Sequence, residues 1–331
     1  MKVAHFAVVT PKRCGLYETT HDTVRGLRAL GIDSRMVDPT PESNPVNWSG
    51  DDDRGVPVSS IDWALKSADV IVSHSGIGDI FKGAQDRPFV YVAHGRPYVS
   101  YLAEKHGGLA LQSYHYSMNY DAKWKAIVSY WPEHEPFLNV LFPDKPVYTV
   151  QSSVDLDEWR VLDEAKYDFG GKAGEINVVI SDAWREDIDP YLALNAYALW
   201  ARTRPWARLH IYGLPNKQPG AWALVKCIEN AGGLGEVKAW STDLLEVYNA
   251  ADFVLTPHKI DVRTVREATA CGCPVVRVGE SLQFEQPRVS RAVTRAEACT
   301  RFDSRRTALQ FKAILESLDG RFSKAKHSGN G

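Results

Sequence analysis

Short apolar runs alternate along this chain with stretches of helical periodicity. Val3 to Val9 reads as a buried strand, and Thr19 to Leu30 as an amphipathic helix with Val24, Leu27 and Leu30 on one face and Gly31 at its end. Ser34–Val37, Asp69–Ser73, Phe89–Ala93, Ala126–Ser129 and Val147–Val150 continue the strand series. The pattern then restarts with a strand at Ile176–Ile180, a helix at Pro190–Thr203, a strand at Arg208–Tyr212 closed by Gly213, a helix at Ala221–Ala231, a strand at Val237–Trp240 and a helix at Leu244–Ala250. After it, the run Phe253–Leu255 stops at Thr256-Pro257, a helix opens near Arg263, Cys271-Gly272-Cys273-Pro274 ends that helix, and Val275–Val278 is the next strand. Ala308–Leu318 is a last helix. Such alternation predicts an α/β fold of two doubly wound, Rossmann-like units, each a parallel sheet with helices on both faces. Polar, glycine-bearing Asp163–Gly174 has linker character. The expected domains are 1–155, 156–303, and 304–331 as a C-terminal helix able to cross back to the first domain, with a disordered tail at Lys324–Gly331.

Composition changes this picture little. A chain of 331 residues with 44% apolar content can build two full cores. A formal net charge of −2 gives no global footprint for nucleic acid or an anionic membrane. From Ser281 onward ten Lys/Arg face five Asp/Glu, which reads as a solvated helix and tail, with contact to a polyanion as the alternative. Five scattered cysteines indicate reduced thiols and a cytoplasmic setting. Cys271 and Cys273 lack a second ligand pair at zinc spacing and read as small packing residues around a turn. No apolar run reaches about 18 residues, so no transmembrane helix is expected, and Met1-Lys2 leads into a strand rather than a signal peptide. Asp51-Asp52-Asp53, inside the Gly50–Gly55 loop, reads as solvated charge, and Pro132-Glu133-His134-Glu135 is not a HExxH motif; no metal site is expected.

The candidate chemistry lies where strands end. Helix N-termini facing the carboxyl ends of parallel strands attract anions. Glu267, a turn inside the helix that opens near Arg263, can accept ribose hydroxyls, and the two together suit a nucleotide diphosphate. Lys259, Arg263 and Arg266 crowd this helix start, where cations oppose the dipole unless an anion binds; solvated surface charge is the plainer alternative. Gly15, between the first strand and helix, lets backbone N–H groups approach a phosphate or sugar, or serves only a tight turn; there is no GxGxxG. His94-Gly95-Arg96-Pro97 ends a strand, so that His94 can bond a sugar hydroxyl and Arg96 an anion, unless His94 merely caps the strand. Tyr114, His115, Tyr116, Tyr120 and Trp124 form an aromatic cluster that stacks on a sugar or base, or packs between layers.

Six segments, in order, resemble the large retaining GT-B glycosyltransferase family. Cys14-Gly15-Leu16-Tyr17-Glu18 is similar to its first glycine loop, His94-Gly95-Arg96-Pro97 to its histidine-bearing strand end, and Val150–Trp159 to its interdomain PNGVDxxxF segment. Leu209–Pro215 resembles LxIxGxGP, Tyr248–Asp252 resembles LYxxAD, and Glu267–Val276 resembles EAMACGxPVV. The resemblance implies two Rossmann-like domains facing a cleft, a nucleotide-diphosphate sugar as donor, with a UDP-sugar expected, no separate cofactor and no metal. It implies transfer to an acceptor hydroxyl with retention, the acceptor being a glycan, a small molecule or a modified DNA. The chain departs from the pattern at three places. The E-x7-E motif has Lys259 where its first carboxylate belongs, with Asp261 the nearest replacement. The GR pair after the first strand of the second domain reads Ser181-Asp182, and the lysine that follows it in the pattern is missing, with Arg185 the basic residue close by. The expected catalytic residues are therefore His94, Arg185 and Lys259; donor-binding residues are Gly15, Gly213, Trp240, Asp261, Arg263, Thr264 and Glu267; acceptor-side residues are Arg96, Tyr114 and Tyr116. A non-catalytic nucleotide- or sugar-binding relative, and a glycosyltransferase acting on hydroxylated DNA bases, stand as alternatives.

Overall fold

In a computed structural model of the chain, the residues described are 1–7, 15–38, 50–52, 54–74, 87–94, 124–181, 190–213, 219–238, 243–279 and 281–318. They divide into two compact units, one of Met1–Ser153 with the segment from Ser304, the other Val154–Asp303.

The first unit runs β1 (Lys2–Phe6), α1 (Gly15–Ala29), β2 (Asp33–Val37), β3 (Gly50–Asp51), β4 (Pro57–Val58), α2 (Ile61–Ser67), β5 (Val70–Ser73), β6 (Phe89–Ala93), β7 (Trp124–Ser129), α3 (Glu135–Leu141) and β8 (Val147–Thr149), and ends with α9 (Ser304–Leu318). Its sheet has the order β3-β4-β2-β1-β5-β6-β7-β8 and is parallel except for the short β3–β4 pair. Strand order reverses between β1 and β5, which makes their carboxyl ends the crevice where such sheets place ligands. Alternate residues bury on opposite faces. Phe6, Ile71, Phe89, Tyr91 and Trp124 pack with α2 and α3, whereas Val3, Val72, Val90 and Val128 pack with Leu27 of α1 and Phe311, Ile314 and Leu315 of α9. Burying each of those α9 side chains contributes roughly 1.5–3 kcal/mol, which ties the C-terminal helix to this sheet.

The α1–α9 contact is close. A Cβ at Gly26 would lie 2.7 Å from the Ala308 Cβ, an atom fixed to a helix backbone. Gly26→Ala is therefore expected to lower the melting temperature, because overpacking of about 1–3 kcal/mol outweighs a helix-propensity gain of about 1 kcal/mol. The double variant Gly26→Ala/Ala308→Gly should recover the loss in thermal unfolding. An unchanged melting temperature for the single variant would show that the helices separate freely.

Sequence expectation and structure differ in the first unit for identifiable reasons. Gly15 opens α1 instead of lying in the preceding loop, because the helix starts a turn earlier than its apolar face. Thr19, Thr20 and Thr23 donate to the carbonyls of Gly15, Leu16 and Thr19 (2.7, 2.9 and 2.8 Å), which lets hydroxyls sit buried in a helix. Trp124 belongs to β7 and packs against Phe89 and Tyr91, which is the packing alternative of the two readings of the aromatic cluster. Asp52 is not solvated. It is buried and accepts from the Tyr17 hydroxyl (2.8 Å) and the N–H groups of Arg54 (2.9 Å) and Val56 (2.8 Å). Burial pushes its carboxyl up, but those hydrogen bonds outweigh burial and hold it below the usual range. Asp53 and Lys324–Gly331 lie outside the described residues.

The second unit runs β9 (Ile176–Ile180), α4 (Pro190–Ala201), β10 (Ala207–Tyr212), α5 (Pro219–Asn230), β11 (Leu234–Lys238), α6 (Leu244–Ala250), β12 (Phe253–Thr256), α7 (Arg263–Ala270), β13 (Val275–Arg277) and α8 (Arg291–Arg301). Its parallel sheet has the order β11-β10-β9-β12-β13, so the switch point falls between β9 and β12. The β11 strand begins three residues before the expected Val237. Gly235 lies within it, where a Cβ would meet the His210 ring at 2.3 Å.

Candidate nucleotide and sugar site

The β12–α7 segment is built from the inside out. Phe253–Thr256 is fully buried, and the His258 N–H donates to Thr256 Oγ1 (3.2 Å), turning the chain out of the strand. The N-cap of α7, Val262, makes no side-chain capping hydrogen bond. One turn in, Arg263 Nε donates to Glu267 Oε1 at 2.5 Å, with both side chains under a tenth exposed. Arg263 and Glu267 thus form a buried i,i+4 pair at a helix start. At the other end, Gly272 adopts φ +71°, and a Cβ there would lie 2.9 Å from the Arg291 carbonyl. Cys271 and Cys273 flank it, fully buried, and burial pushes the Cys273 thiol up to about 12.

The remaining donor-side candidates fall around this element. Thr264 is half-buried in the first turn of α7, and Lys259 is exposed on the loop before it. Asp261 is gripped by two guanidiniums, Arg277 and Arg301. Arg277 also donates to the carbonyls of His258 (2.6 Å) and Ile260 (2.9 Å), so the loop between β12 and α7 is braced from β13 and α8. Gly213 follows β10 with φ +89°, its N–H on the Lys238 carbonyl (2.9 Å), and the neighbouring Tyr212 hydroxyl donates to Glu236 (2.7 Å). Ser181, standing where the family pattern has glycine, ends β9 with its hydroxyl 2.8 Å from that of Tyr248. Arg185, Trp240, Arg96, Tyr114, Tyr116, His115 and Tyr120 lie outside the described residues.

Of the basic residues after Ser281, Arg288, Arg301, Arg305 and Arg306 are exposed, as the solvated reading expects, whereas Arg291 and Arg295 turn inward. Arg291 donates to the carbonyls of Tyr248 (3.1 Å) and Ala251, and Arg295 to those of Leu156 (2.8 Å), Trp159 (2.7 Å) and Ala270 (2.6 Å). These cations serve the carboxyl ends of α6 and α7, where the helix dipole favours them.

In the first unit, the sequence reading singled out His94 but missed its companions. His5 in β1, His74 after β5 and His94 after β6 lie side by side along the carboxyl edge of three adjacent strands. His5 Nδ1 is 3.0 Å from His74 Nε2, and His74 Nδ1 is 2.9 Å from His94 Nε2. Burial pushes the His5 imidazole down to about 3; burial, then the two flanking rings, hold His74 well below the ordinary histidine value. His94 also packs against the ring of Tyr130, whose hydroxyl meets Thr23 of α1 (3.3 Å). The available signal was a histidine directly after each of two predicted strands, His74 and His94, and one inside the first predicted strand, His5. Among the described residues, no group of three or more His, Cys, Asp or Glu could hold a metal ion, and no helix is long and apolar enough to cross a membrane.

No family model matches the chain, and no curated protein matches it either. Solved structures do. The chain is similar to Anabaena HepE in complex with UDP-glucose (14% identity, TM-score 0.68, 96% of this chain and 100% of that one). It is also similar to sucrose-phosphate synthase from Thermosynechococcus elongatus (14%, 0.71, 97% and 99%). A third similar structure is an alpha-glucosyltransferase in complex with UDP and a 13-mer DNA containing an HMU base (15%, 0.59, 98% and 93%). At these identities the likeness establishes the fold, which is GT-B.

Proposed function

We propose that the chain transfers a sugar from a nucleoside-diphosphate donor, taken as a UDP-sugar, to an acceptor hydroxyl with retention of configuration. The observation that carries this reading is the buried Glu267 carboxylate, held by Arg263 in the first turns of the helix that follows the switch-point strand β12. Similar structures hold UDP-glucose and UDP, which supports the choice of base. In this reading Glu267 accepts the ribose hydroxyls. The α7 N-terminus, with Arg263, Thr264, Lys259 and Arg185, meets the diphosphate and offsets the negative charge that develops as it leaves. Gly15, Gly213, Trp240 and Asp261 complete the donor contacts, and His94 bonds the transferred sugar. The acceptor, reaching Arg96, Tyr114 and Tyr116, attacks from the leaving-group face, and no side chain acts as nucleophile.

The test is a thermal-shift comparison of UDP-, GDP-, ADP- and TDP-glucose, followed by donor hydrolysis without acceptor. A ligand at 100 times its Kd stabilises the native state by about 2.7 kcal/mol. UDP-glucose should raise the melting temperature and be hydrolysed slowly; no shift with any of the four would overturn the reading. Stabilisation without hydrolysis would instead favour a binding protein, a second reading supported by the Asp261 carboxylate being held by Arg277 and Arg301. A modified-DNA acceptor is motivated by the DNA complex of the similar alpha-glucosyltransferase. It requires a DNA affinity that falls steeply with salt.

A further inference from the structure

We propose that Arg277 is a positioning residue for the donor diphosphate: from the last residue of β13 its guanidinium fixes the loop 257–262 that leads into α7, and so sets where the first N–H groups of that helix meet a phosphate. This deepens the reading of the α7 N-terminus as the diphosphate site, and rests on it.

Thr256, the last residue of β12, pairs with Arg277 across the β12–β13 ladder, which places the Arg277 side chain beside the start of the loop. Nη1 then donates to the carbonyls of His258 (2.6 Å) and Ile260 (2.9 Å), and Nη2 to one oxygen of the Asp261 carboxylate. The other Asp261 oxygen accepts from Arg301 of α8. Within the loop, the His258 N–H donates to Thr256 Oγ1 (3.2 Å) and the Val262 N–H to the Ile260 carbonyl (2.9 Å). Each of these bonds spans two residues and shapes a local turn, whereas Arg277 ties residues 258, 260 and 261 to one rigid fork. The same fork improves the loop as an approach to an anion. Carbonyl oxygens and a carboxylate just ahead of a helix N-terminus repel a phosphate, and here guanidiniums engage two of the carbonyls and both carboxylate oxygens.

Two observations favour positioning over a contribution to folding. The Arg277 and Arg301 side chains are 36% and 47% exposed, and ion pairs at such exposure add little to stability. Val262 makes no capping hydrogen bond through its side chain, so the start of α7 is not fixed in the ordinary way, and the nearest hold on the chain entering it is the one on Ile260 and Asp261. Arg277 lies one residue beyond the segment that resembles EAMACGxPVV, which is why motif reading passes over it.

The test compares UDP with uridine by NMR titration of the full chain in the parent, Arg277→Lys and Arg277→Met. Both variants keep an unbranched aliphatic stem, and Lys keeps the charge but loses the planar fork. UDP affinity should fall about 5-fold in Arg277→Lys and about 10-fold in Arg277→Met, while uridine affinity stays unchanged because the ribose contact at Glu267 remains. Full UDP affinity in Arg277→Lys would mean that charge alone suffices, and overturns the proposal. An equal loss for uridine and UDP overturns it too, since it marks general damage to the unit. Amide exchange without ligand separates positioning from direct contact with phosphate. The His258 and Val262 amides should exchange faster in Arg277→Lys than in the parent at equal melting temperature; unchanged exchange overturns the positioning role. Should Arg277→Met fail to fold, Arg277→Lys alone decides. A parent protein that binds neither UDP nor uridine removes the donor reading, and the diphosphate role of Arg277 with it. A parent that binds UDP but is insensitive to change at Arg277 removes only that role.

Discussion

Glu267→Ala is expected to weaken UDP binding by about 100-fold, roughly 3 kcal/mol, as measured by calorimetry. Two hydrogen bonds from ribose hydroxyls to an ionised acceptor are each worth about 1.5–3 kcal/mol, and part of that is recovered by water in the cavity left behind. The same substitution removes the carboxylate from a pair whose side chains are both under a tenth exposed. Breaking such a pair by deleting one partner typically costs about 3–5 kcal/mol of stability, because the other charge stays buried. Two effects are thus superimposed, and Glu267→Gln separates them. Gln keeps the volume and one acceptor oxygen, so it should fold better than Ala yet still lose UDP affinity, since a neutral amide accepts more weakly and its nitrogen donates where ribose also donates. A folded Glu267→Ala or Glu267→Gln protein that binds UDP as tightly as the parent would remove Glu267 from the ribose role. Retention of melting temperature in Glu267→Ala would show instead that Arg263 finds another acceptor.

How much of this was legible in the sequence depends on how local each interaction is. The strands Phe89–Ala93 and Ile176–Ile180 and the helix Leu244–Ala250 are read to the residue, because their burial is written as apolar runs, broken in the second strand only by Asn177, or as a single helical face. The two-residue strands β3 and β4 are too short to show a period, and α2 and α8 pass unread although each begins with a serine N-cap, Ser60 on the Trp63 N–H and Ser290 on the Val293 N–H. The Arg263–Glu267 pair is likewise local, four residues apart on one helix. The brace on Asp261 is not: Arg277 and Arg301 reach it from 16 and 40 residues away, across a strand order that periodicity does not specify. The histidine chain is more distant still, since His5 and His74 become neighbours only because β5 pairs with β1. Charge that reads as solvent-facing in a linear count, such as Arg291, Arg295 and Asp52, is turned inward by carbonyls and N–H groups that have no signature in the sequence.

Acidification from pH 7 toward pH 4 should destabilise both units before any carboxylate titrates. Each unit buries a histidine in its neutral form. Burial pushes His5 of the first unit down to about 3 and His210 of the second down to about 4, whereas the unfolded chain protonates near 6.5. His210 is fixed by its neighbours in this state: Nδ1 accepts the Glu236 N–H (3.1 Å), Nε2 faces Asn177 Oδ1 (3.0 Å), and the Phe169 ring lies 4.1 Å away between centroids. Between the two pKa values the unfolded state holds the extra proton, so stability rises with pH there; it is fully present above about 6.5 and is lost as pH falls toward the folded value. For His210 the loss over that window is on the order of 3 kcal/mol. Asp33, Asp52 and Glu236, whose carboxyls are held below their usual range, withdraw stability only below about pH 4.5, so the two classes separate on the pH axis. A chain with two cores need not unfold in one step, so native-state hydrogen exchange of β6 and β10 amides between pH 7 and 4.5, corrected for intrinsic exchange rates, is the suitable measurement. Protection in β10 should fall across this range in the parent and flatten in His210→Gln, while β6 continues to respond through His5 and His74. Equal protection at pH 7 and pH 5 in both strands would mean that the imidazoles are protonated in the native state, and the neutral histidine ladder under His94 would fall with that result.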